Sequence, residues 1–306
     1  RQTYNIFEMT DYLNLWRKET LQALQICESL IVPSMSAQKI VEQYFSTLKE
    51  RIILIEHGSD VKTVEMGINA VKKDKKFHVA FVGGLNVAKG ARYAYEMIFN
   101  GSKDINWYIF GNLGYSPLDE LSQTNLTKYG QYNRDELPQL IAKEEIDLVC
   151  ILPIWQETFC YTLSEALLSK VPVLVTDSGA VGERVRAMQC GWTVPFNSDY
   201  REILNMIDYI RNNKDEYINI KNNVLALKLK NVQDMCTEYQ KLYSSSYIKK
   251  KPQCSTQNIR EFYDIQKETR RVQKAIGTEK EKVQFKILEK ENELQTKDNL
   301  IQEKVN

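Results

Sequence analysis

The strongest constraint on the fold lies in residues 77–247, where short apolar runs alternate with amphipathic helical patterns. Runs at 78–82, 107–110, 148–152 and 173–176, with a weaker one at 126–130, read as strands. Patterns at 90–99, 135–143, 162–169 and 181–188 read as helices between them. A strand that is apolar at successive positions has no polar face to offer to water, so both of its faces must be covered. Such strands separated by helices predict an α/β fold, a parallel sheet with helices on both sides. An open sheet of this kind takes its ligands at the carboxyl ends of its strands, which directs attention to the strand-to-helix loops.

The flanking segments differ from this middle part. Residues 1–60 hold a helical pattern at 12–27, the run Leu30, Ile31, Val32 before Pro33 and Ser34, a second helix and a strand at 52–55. This is a further α/β unit, too short to bury much core by itself. Ser244, Ser245, Ser246 and Pro252 break the pattern at the other end. From Ile259 to Asn306 there is no Pro, one Gly (Gly277), and a dense mixture of both charge signs. Apolar residues recur there at spacings of three and four, from Ile259, Phe262 and Ile265 to Leu294, Ile301 and Val305, with Glu279, Lys290 and Lys297 interrupting the stripe. Residues 258–306 therefore read as a long helix or coiled coil, or as a helical spacer, against the alternative of a solvated single helix. The expected division is 1–60, 77–247 and 258–306.

Composition excludes several classes. The 306 residues carry 41 Lys+Arg against 40 Asp+Glu, a net charge of +1, without the basic surplus that nucleic-acid binding usually shows. No uninterrupted apolar run approaches the roughly 18 residues of a membrane-spanning helix. The chain begins at Arg1 without a secretory leader pattern, so it reads as a piece of something longer. Six Cys without a CxxC pair, and only His57 and His78, read as reduced thiols rather than a disulfide frame or a zinc site. The expectation from this composition is a soluble, reduced, cytoplasmic protein without a metal.

Three loops carry the chemistry. In the first, Val82 to Gly90, Gly83 and Gly84 follow a strand and Lys89 precedes a helix. Glycines let a ligand approach the backbone, and the helix start and lysine suit a phosphate, although a tight turn with a surface lysine accounts for the same residues. The spacing is neither that of a dinucleotide fingerprint nor that of a P-loop. In the second, Pro153 to Leu167, Glu157 and Glu165 stand eight residues apart. At about 1.5 Å per helical residue they are on the order of 10 Å apart, too far for a retaining-glycosidase pair at about 5–5.5 Å. They suit a ligand with hydroxyls at both ends and a diphosphate between, or else are carboxylates favoured by the helix dipole. In the third, Thr176 to Glu183, Asp177 or Ser178 serves as a helix cap.

In order, these loops resemble the donor-binding half of the GT-B glycosyltransferases, specifically family 4. Glu157 to Glu165 is similar to that family's E-x7-E motif, and "ALLSKVPVLV" and "TDSGAVGER" resemble the segments that come after it. Val82–Gly90 resembles the phosphate loop, residues 53–60 the hand-over between the two halves, and residues 232–244 the closing helix. The resemblance covers about residues 10–247, and "IWQETFCYTLSEAL" with "GAVGER" is most similar to the bacterial branch that builds O-antigens and capsules.

The resemblance implies a Rossmann-like donor domain at 77–247 and a remnant of the acceptor half at 1–60. It implies that Glu165 accepts hydrogen bonds from ribose hydroxyls, and that Glu157 faces the transferred sugar near the amides of Thr158, Phe159 and Cys160. Thr162 and Lys89 would hold the diphosphate, Gly83 and Gly84 make room for it, and Gln131 to Arg134 lie along the base. The implied partners are a nucleotide-diphosphate sugar and a glycan or lipid-linked glycan acceptor, with self-association through 258–306. The implied reaction is retaining, without a metal or a separate general base, in the cytoplasm at the inner face of the membrane. Gly84 departs from the arginine that many members carry, which leaves more phosphate charge to Lys89. A non-catalytic nucleotide-sugar module and an epimerase of the same fold are the competing readings.

Overall fold

The structure, a computed structural model, describes the backbone of residues 6–60 and 76–247, with side chains for 13–60 and 76–244. The helix expected at 258–306 lies outside the described residues. The chain divides into two units after Leu242, and the sheets and loops described below belong to the first.

The N-terminal segment runs α1 (Ile6–Ile26), β1 (Leu30–Val32), α2 (Met35–Tyr44) and β2 (Ile52–Leu54). β1 and β2 pair in parallel from Leu30↔Ile52 to Val32↔Leu54, with α2 as the crossover. Among the described residues, the only apolar side chains this unit buries are Val32, Ala37, Leu48 and Ile55, in line with its length.

The second part continues with β3 (Phe77–Val82), β4 (Leu85–Asn86), α3 (Ala91–Asn100), β5 (Ile105–Phe110) and β6 (Leu113–Gly114). Then come α4 (Ser116–Glu120), β7 (Leu126–Gly130), α5 (Leu137–Lys143), β8 (Leu148–Ile151) and α6 (Tyr161–Leu168). β9 (Val173–Asp177), α7 (Gly179–Met188), β10 (Gly191–Pro195), α8 (Tyr200–Asn212), α9 (Lys214–Ala226) and α10 (Val232–Tyr247) complete it.

Six strands form one parallel sheet in the order β10-β9-β8-β3-β5-β7. The chain runs outward from β3 through β5 to β7, then returns to β3's other side with β8. That reversal leaves a crevice between the carboxyl ends of β3 and β8. Alternate residues of each strand serve different layers. Val79 and Phe81 of β3, with Trp107 and Ile109 of β5, pack against Met97 and Ile98 of α3 and Ile203 and Ile207 of α8. Ala80 and Val82, with Tyr108 and Phe110, pack against Leu137 and Ile141 of α5, Leu163 and Leu167 of α6, and Val181 and Val185 of α7. Burial on both faces is the physical reason these strands read as continuous apolar runs.

The expected strands and helices form within a few residues of their expected bounds. β10, α8 and α9, like the short β4, β6 and α4, are not among the expected elements. β10 begins with Gly191 and ends with Pro195, residues that argue against a central strand, and it lies at the sheet edge where proline is tolerated. The N-terminal segment meets this domain at several places, two of them built from hydrogen bonds to backbone groups. Glu183 of α7 accepts from the N–H groups of Met35 and Ser36 at 3.1 and 2.6 Å and from the Ser36 hydroxyl at 2.5 Å, holding the start of α2. Residues 58–60 meet the chain before α10, where the Ser59 N–H donates to Lys230 O at 3.0 Å and Asp60 Oδ1 accepts from the Val232 N–H at 2.9 Å.

Candidate functional site

Both loops that border the crevice are shaped by backbone bonds. After β3, the Asn86 side chain accepts from the Lys89 N–H at 3.0 Å and caps a single 3-10 turn, Val87–Lys89. The Ile154 N–H of the second loop donates to Ala88 O at 3.0 Å, which ties the loops together. Lys89 is thus part of a tight turn and also faces the second loop, its Nζ 3.9 Å from Glu157 Oε1. Where a Cβ would stand on Gly83, the Thr162 Oγ1 lies 3.0 Å away, so the glycine and the start of α6 face one another closely. Around Gly84 no atom lies within 4 Å of such a position.

α6 begins at Tyr161, which places both carboxylates outside its first turn. Glu157 lies ahead of the helix and Glu165 is its fifth residue, so neither occupies the first turn where the dipole acts most strongly. Glu157 Oε1 accepts from Trp155 Nε1 at 2.9 Å. Glu165 is buried, yet it lines a cavity of about 280 Å3. Its carboxylate pairs with Arg134 Nε at 2.7 Å and accepts from the Tyr132 hydroxyl at 3.2 Å. Burial raises the Glu165 pKa, while Arg134 and Tyr132 oppose that rise. Burial, and then the Glu165 carboxylate beside it, push the Tyr132 phenol well above its ordinary value.

The third loop is more than a capped turn. Ser178 occupies the N-cap position of α7, but its side chain makes no capping bond, and the Asp177 carboxylate pairs with Arg186. The Ala180 N–H donates to Glu157 O at 2.8 Å, and a Cβ on Gly179, whose φ is +55°, would stand 2.6 Å from that same oxygen. The glycine lets α7 start against the backbone of Glu157. Deeper, buried Arg184 donates to Phe159 O at 3.0 Å, Cys160 O at 3.2 Å and Ser164 Oγ at 2.8 Å, with its guanidinium 4.0 Å from the centre of the Phe159 ring. Cys160 adopts a left-handed φ of +69°, and burial pushes its thiol up to about 11. His57 stacks on Tyr161 with centroids 5.3 Å apart and meets the edge of Phe159 at 5.0 Å.

The structure thus gathers Gly83, Gly84, Gln131, Arg134, Thr162 and Glu165 around one cavity, with Gly111, Asn112 and Tyr132 completing its wall. Lys89 and Glu157 stand together at the junction of the first two loops. Thr158 is exposed, whereas the Phe159 ring is buried and its carbonyl points at Arg184. Arg134, expected along a base, is ion-paired to Glu165. Tyr132 falls within the stretch Gln131 to Arg134 expected along the base but meets Glu165, while Arg184 and Gly111 are additions to the expected site. Gly111 after β5 repeats the glycine-after-strand signal that marked the first loop. Arg184 ends the "TDSGAVGER" run that resembles a family loop, but its place beneath the second loop carries no local sequence signal, because burial of a single arginine is a tertiary fact. Among the described residues no group of three or more His, Cys, Asp or Glu is arranged to hold a metal ion.

This strand order, with glycine-lined loops, a lysine and a buried carboxylate at the reversal of the sheet, defines a Rossmann-like ligand-binding domain. Residues 62–225, more than half of the chain, match the family of glycosyl transferases group 1, and the chain belongs to that family. The fold is that of the GT-B glycosyltransferases. It is similar to HepE of Anabaena in complex with UDP and glucose, with a TM-score of 0.60 and 20% identity over 72% of this chain and 64% of that one. A glycosyltransferase from Rickettsia africae superposes with a TM-score of 0.61 and 15% identity over 78% of this chain and 68% of that one. Sucrose-phosphate synthase from Thermosynechococcus elongatus gives 0.59 and 16%, over 76% of this chain and 63% of that one. The chain therefore spans just under two thirds of the HepE structure. No curated protein matches the chain in sequence.

Proposed function

We propose that residues 77–247 are the donor-binding half of a retaining family 4 glycosyltransferase, with residues 1–60 as part of the acceptor half. The reaction moves a sugar from a nucleoside diphosphate onto a glycan or lipid-linked glycan in surface polysaccharide synthesis, in the cytoplasm at the inner face of the membrane. The observation that carries this reading is the cavity at the reversal of the sheet, which has Glu165 in its wall and the Lys89–Glu157 pair beside it. Family membership and the UDP and glucose held by HepE support it.

In this reading a ribose offers its hydroxyls to Glu165, whose two oxygens have lone pairs beyond those used by Arg134 and Tyr132. The diphosphate lies over Gly83 and Gly84 against Thr162 and Lys89, where helix amides and an ammonium favour an anion. As the bond to the sugar breaks, negative charge grows on the leaving phosphate oxygen, and these groups stabilise it. The diphosphate itself assists the incoming hydroxyl on the same face, so no separate general base is needed. Glu157, beside Lys89, faces the sugar. The donor is the substrate, and no resident cofactor or metal enters the scheme.

Calorimetry with UDP, UDP-glucose and GDP- and dTDP-sugars tests the reading on the intact chain. Binding of at least one is expected, and binding of none would sink it. Glu165→Ala should lower that affinity at least tenfold, or about 1.4 kcal/mol. Donor binding without transfer to any glycan would instead favour the non-catalytic module.

A further inference from the structure

The Glu165 carboxylate is buried in the wall of the donor cavity, and each of its oxygens has a different neighbour. Arg134 Nε lies 2.7 Å from Oε1, while the Tyr132 hydroxyl donates to Oε2 at 3.2 Å. A carboxylate has about four lone-pair positions, two on each oxygen. One donor on each oxygen leaves one acceptor position on each. Two donors on the same oxygen would have left both open positions on the other.

Both restraints come from the short stretch between β7 and α5. Arg134 opens the single 3-10 turn Arg134–Glu136, with Tyr132 two residues before it. The sequence places Arg134 along a base, yet its contacts lie elsewhere. Its Nε is committed to the carboxylate, its Nη2 is 3.5 Å from Ser59 Oγ, and its guanidinium carbon is 5.8 Å from the centre of the Tyr161 ring.

The charge of the carboxylate depends on the same neighbours. Burial favours the protonated form, whereas Arg134 first, then Tyr132 and more weakly Lys89, favour the ionised one. An ionised carboxylate only accepts, while a protonated one turns one oxygen into a donor.

We infer that Arg134 and Tyr132 are positioning residues that make Glu165 selective for a vicinal diol, so that the donor is a ribonucleoside diphosphate sugar and not a 2′-deoxyribonucleoside one. The inference rests on the donor reading, which sets a ribose against Glu165. The 2′- and 3′-hydroxyls of a ribose stand on adjacent carbons, and each can donate to one oxygen. A 2′-deoxyribose fills one position and shuts water out of the other, leaving a buried charged acceptor short of its partner. A site built to bond a hydroxyl rejects the analogue that lacks it.

Calorimetry on the intact chain tests this with matched pairs, UDP against 2′-deoxy-UDP and GDP against 2′-deoxy-GDP. Within a pair the base and the diphosphate are the same, so their contacts and the titration of the phosphate cancel in the ratio of affinities. In at least one pair the ribonucleotide should bind on the order of tenfold more tightly. Arg134→Ala, at a half-exposed side chain, should bring that ratio severalfold closer to one. The change should grow as pH is lowered, because a carboxylate without its cation takes up a proton at higher pH than in the parent. Tyr132→Phe keeps the ring, removes the second restraint and should lower the ratio too. A purely structural defect weakens both members of a pair alike and leaves the ratio where it was. Equal affinities within both pairs, or a parental ratio in both variants, would overturn the inference and leave the donor reading in place. So would an altered preference between UDP and GDP in Arg134→Ala at an unchanged ribose ratio, which would make Arg134 a reader of the base. Binding of none of the four nucleotides would remove the donor reading and this inference together.

Discussion

Arg184 organises the second loop from beneath. Its guanidinium donates to two consecutive carbonyls, Phe159 O and Cys160 O, and to Ser164, while lying over the Phe159 ring. A lysine cannot reproduce that planar fork. Arg184→Lys should therefore cost about 1–3 kcal/mol, read from urea unfolding midpoints, and weaken donor binding through the displaced loop. Gly90 is restricted in another way. Its φ is +85°, and an added Cβ would stand 2.2 Å from Leu152 O, so Gly90→Ala should destabilise by more than about 1 kcal/mol. For His57, burial and then the positive charge of Arg184 hold the pKa below 6.5. A depressed folded-state value favours the neutral ring, so stability is complete above about pH 6.5 and is lost as pH falls through the folded value. The melting temperature should decline in that window, and His57→Gln should flatten the decline. Charge and glycine placement drew attention to Glu165 and Lys89, and the roles expected of them rest on the family resemblance. The partners of Tyr132 and Arg184 were not legible, since they are met across the fold.

At the scale of elements, the connection between α2 and α7 rests on a carboxylate. Glu183 caps the start of α2 by accepting three hydrogen bonds, alongside the Ser34 hydroxyl, which accepts from the Ala37 N–H at 3.0 Å. Glu183→Ala should cost about 1–3 kcal/mol and speed amide exchange in α2 more than in α3, measured by hydrogen exchange. In the sequence, "GAVGER" is legible only through its resemblance to a family loop, because the partner residues lie 147 and 148 positions away. The central strands were legible because each is buried on both faces. β10 was not, because its alternating burial, Gly191 and Pro195 belong to a sheet edge. α8 is absent from the expected helices although it opens on a capping box of Asp199 with Glu202 and buries Ile203, Ile207 and Ile210 at core spacing, local signals that mark a helix start.

For the whole molecule, charge is nearly balanced at +1, and among the described residues no helix is long and apolar enough to cross a membrane. Association is the open dimension of the proposed function. The apolar stripe at 258–306 is the segment proposed to link or oligomerise the chain, and its effect is measurable without reference to catalysis. Truncation at Ser246 should lower the sedimenting mass to that of a single shortened chain. An unchanged ratio of sedimenting to calculated mass would reject the coiled-coil role. Donor binding should survive the truncation, because the lining residues Gly83 to Glu165 all precede it.

By itself the sequence determined the layer architecture and the loops that carry chemistry. Apolar periodicity is set by which faces are buried, and glycine, lysine and glutamate at strand ends report local backbone and charge requirements. Only the tertiary structure decided that β8 returns beside β3 and not beyond β7, which creates the crevice. It alone placed Arg134 on Glu165 and Arg184 beneath Phe159. Those are contacts between residues far apart along the chain, settled by packing and desolvation, and no local pattern encodes them.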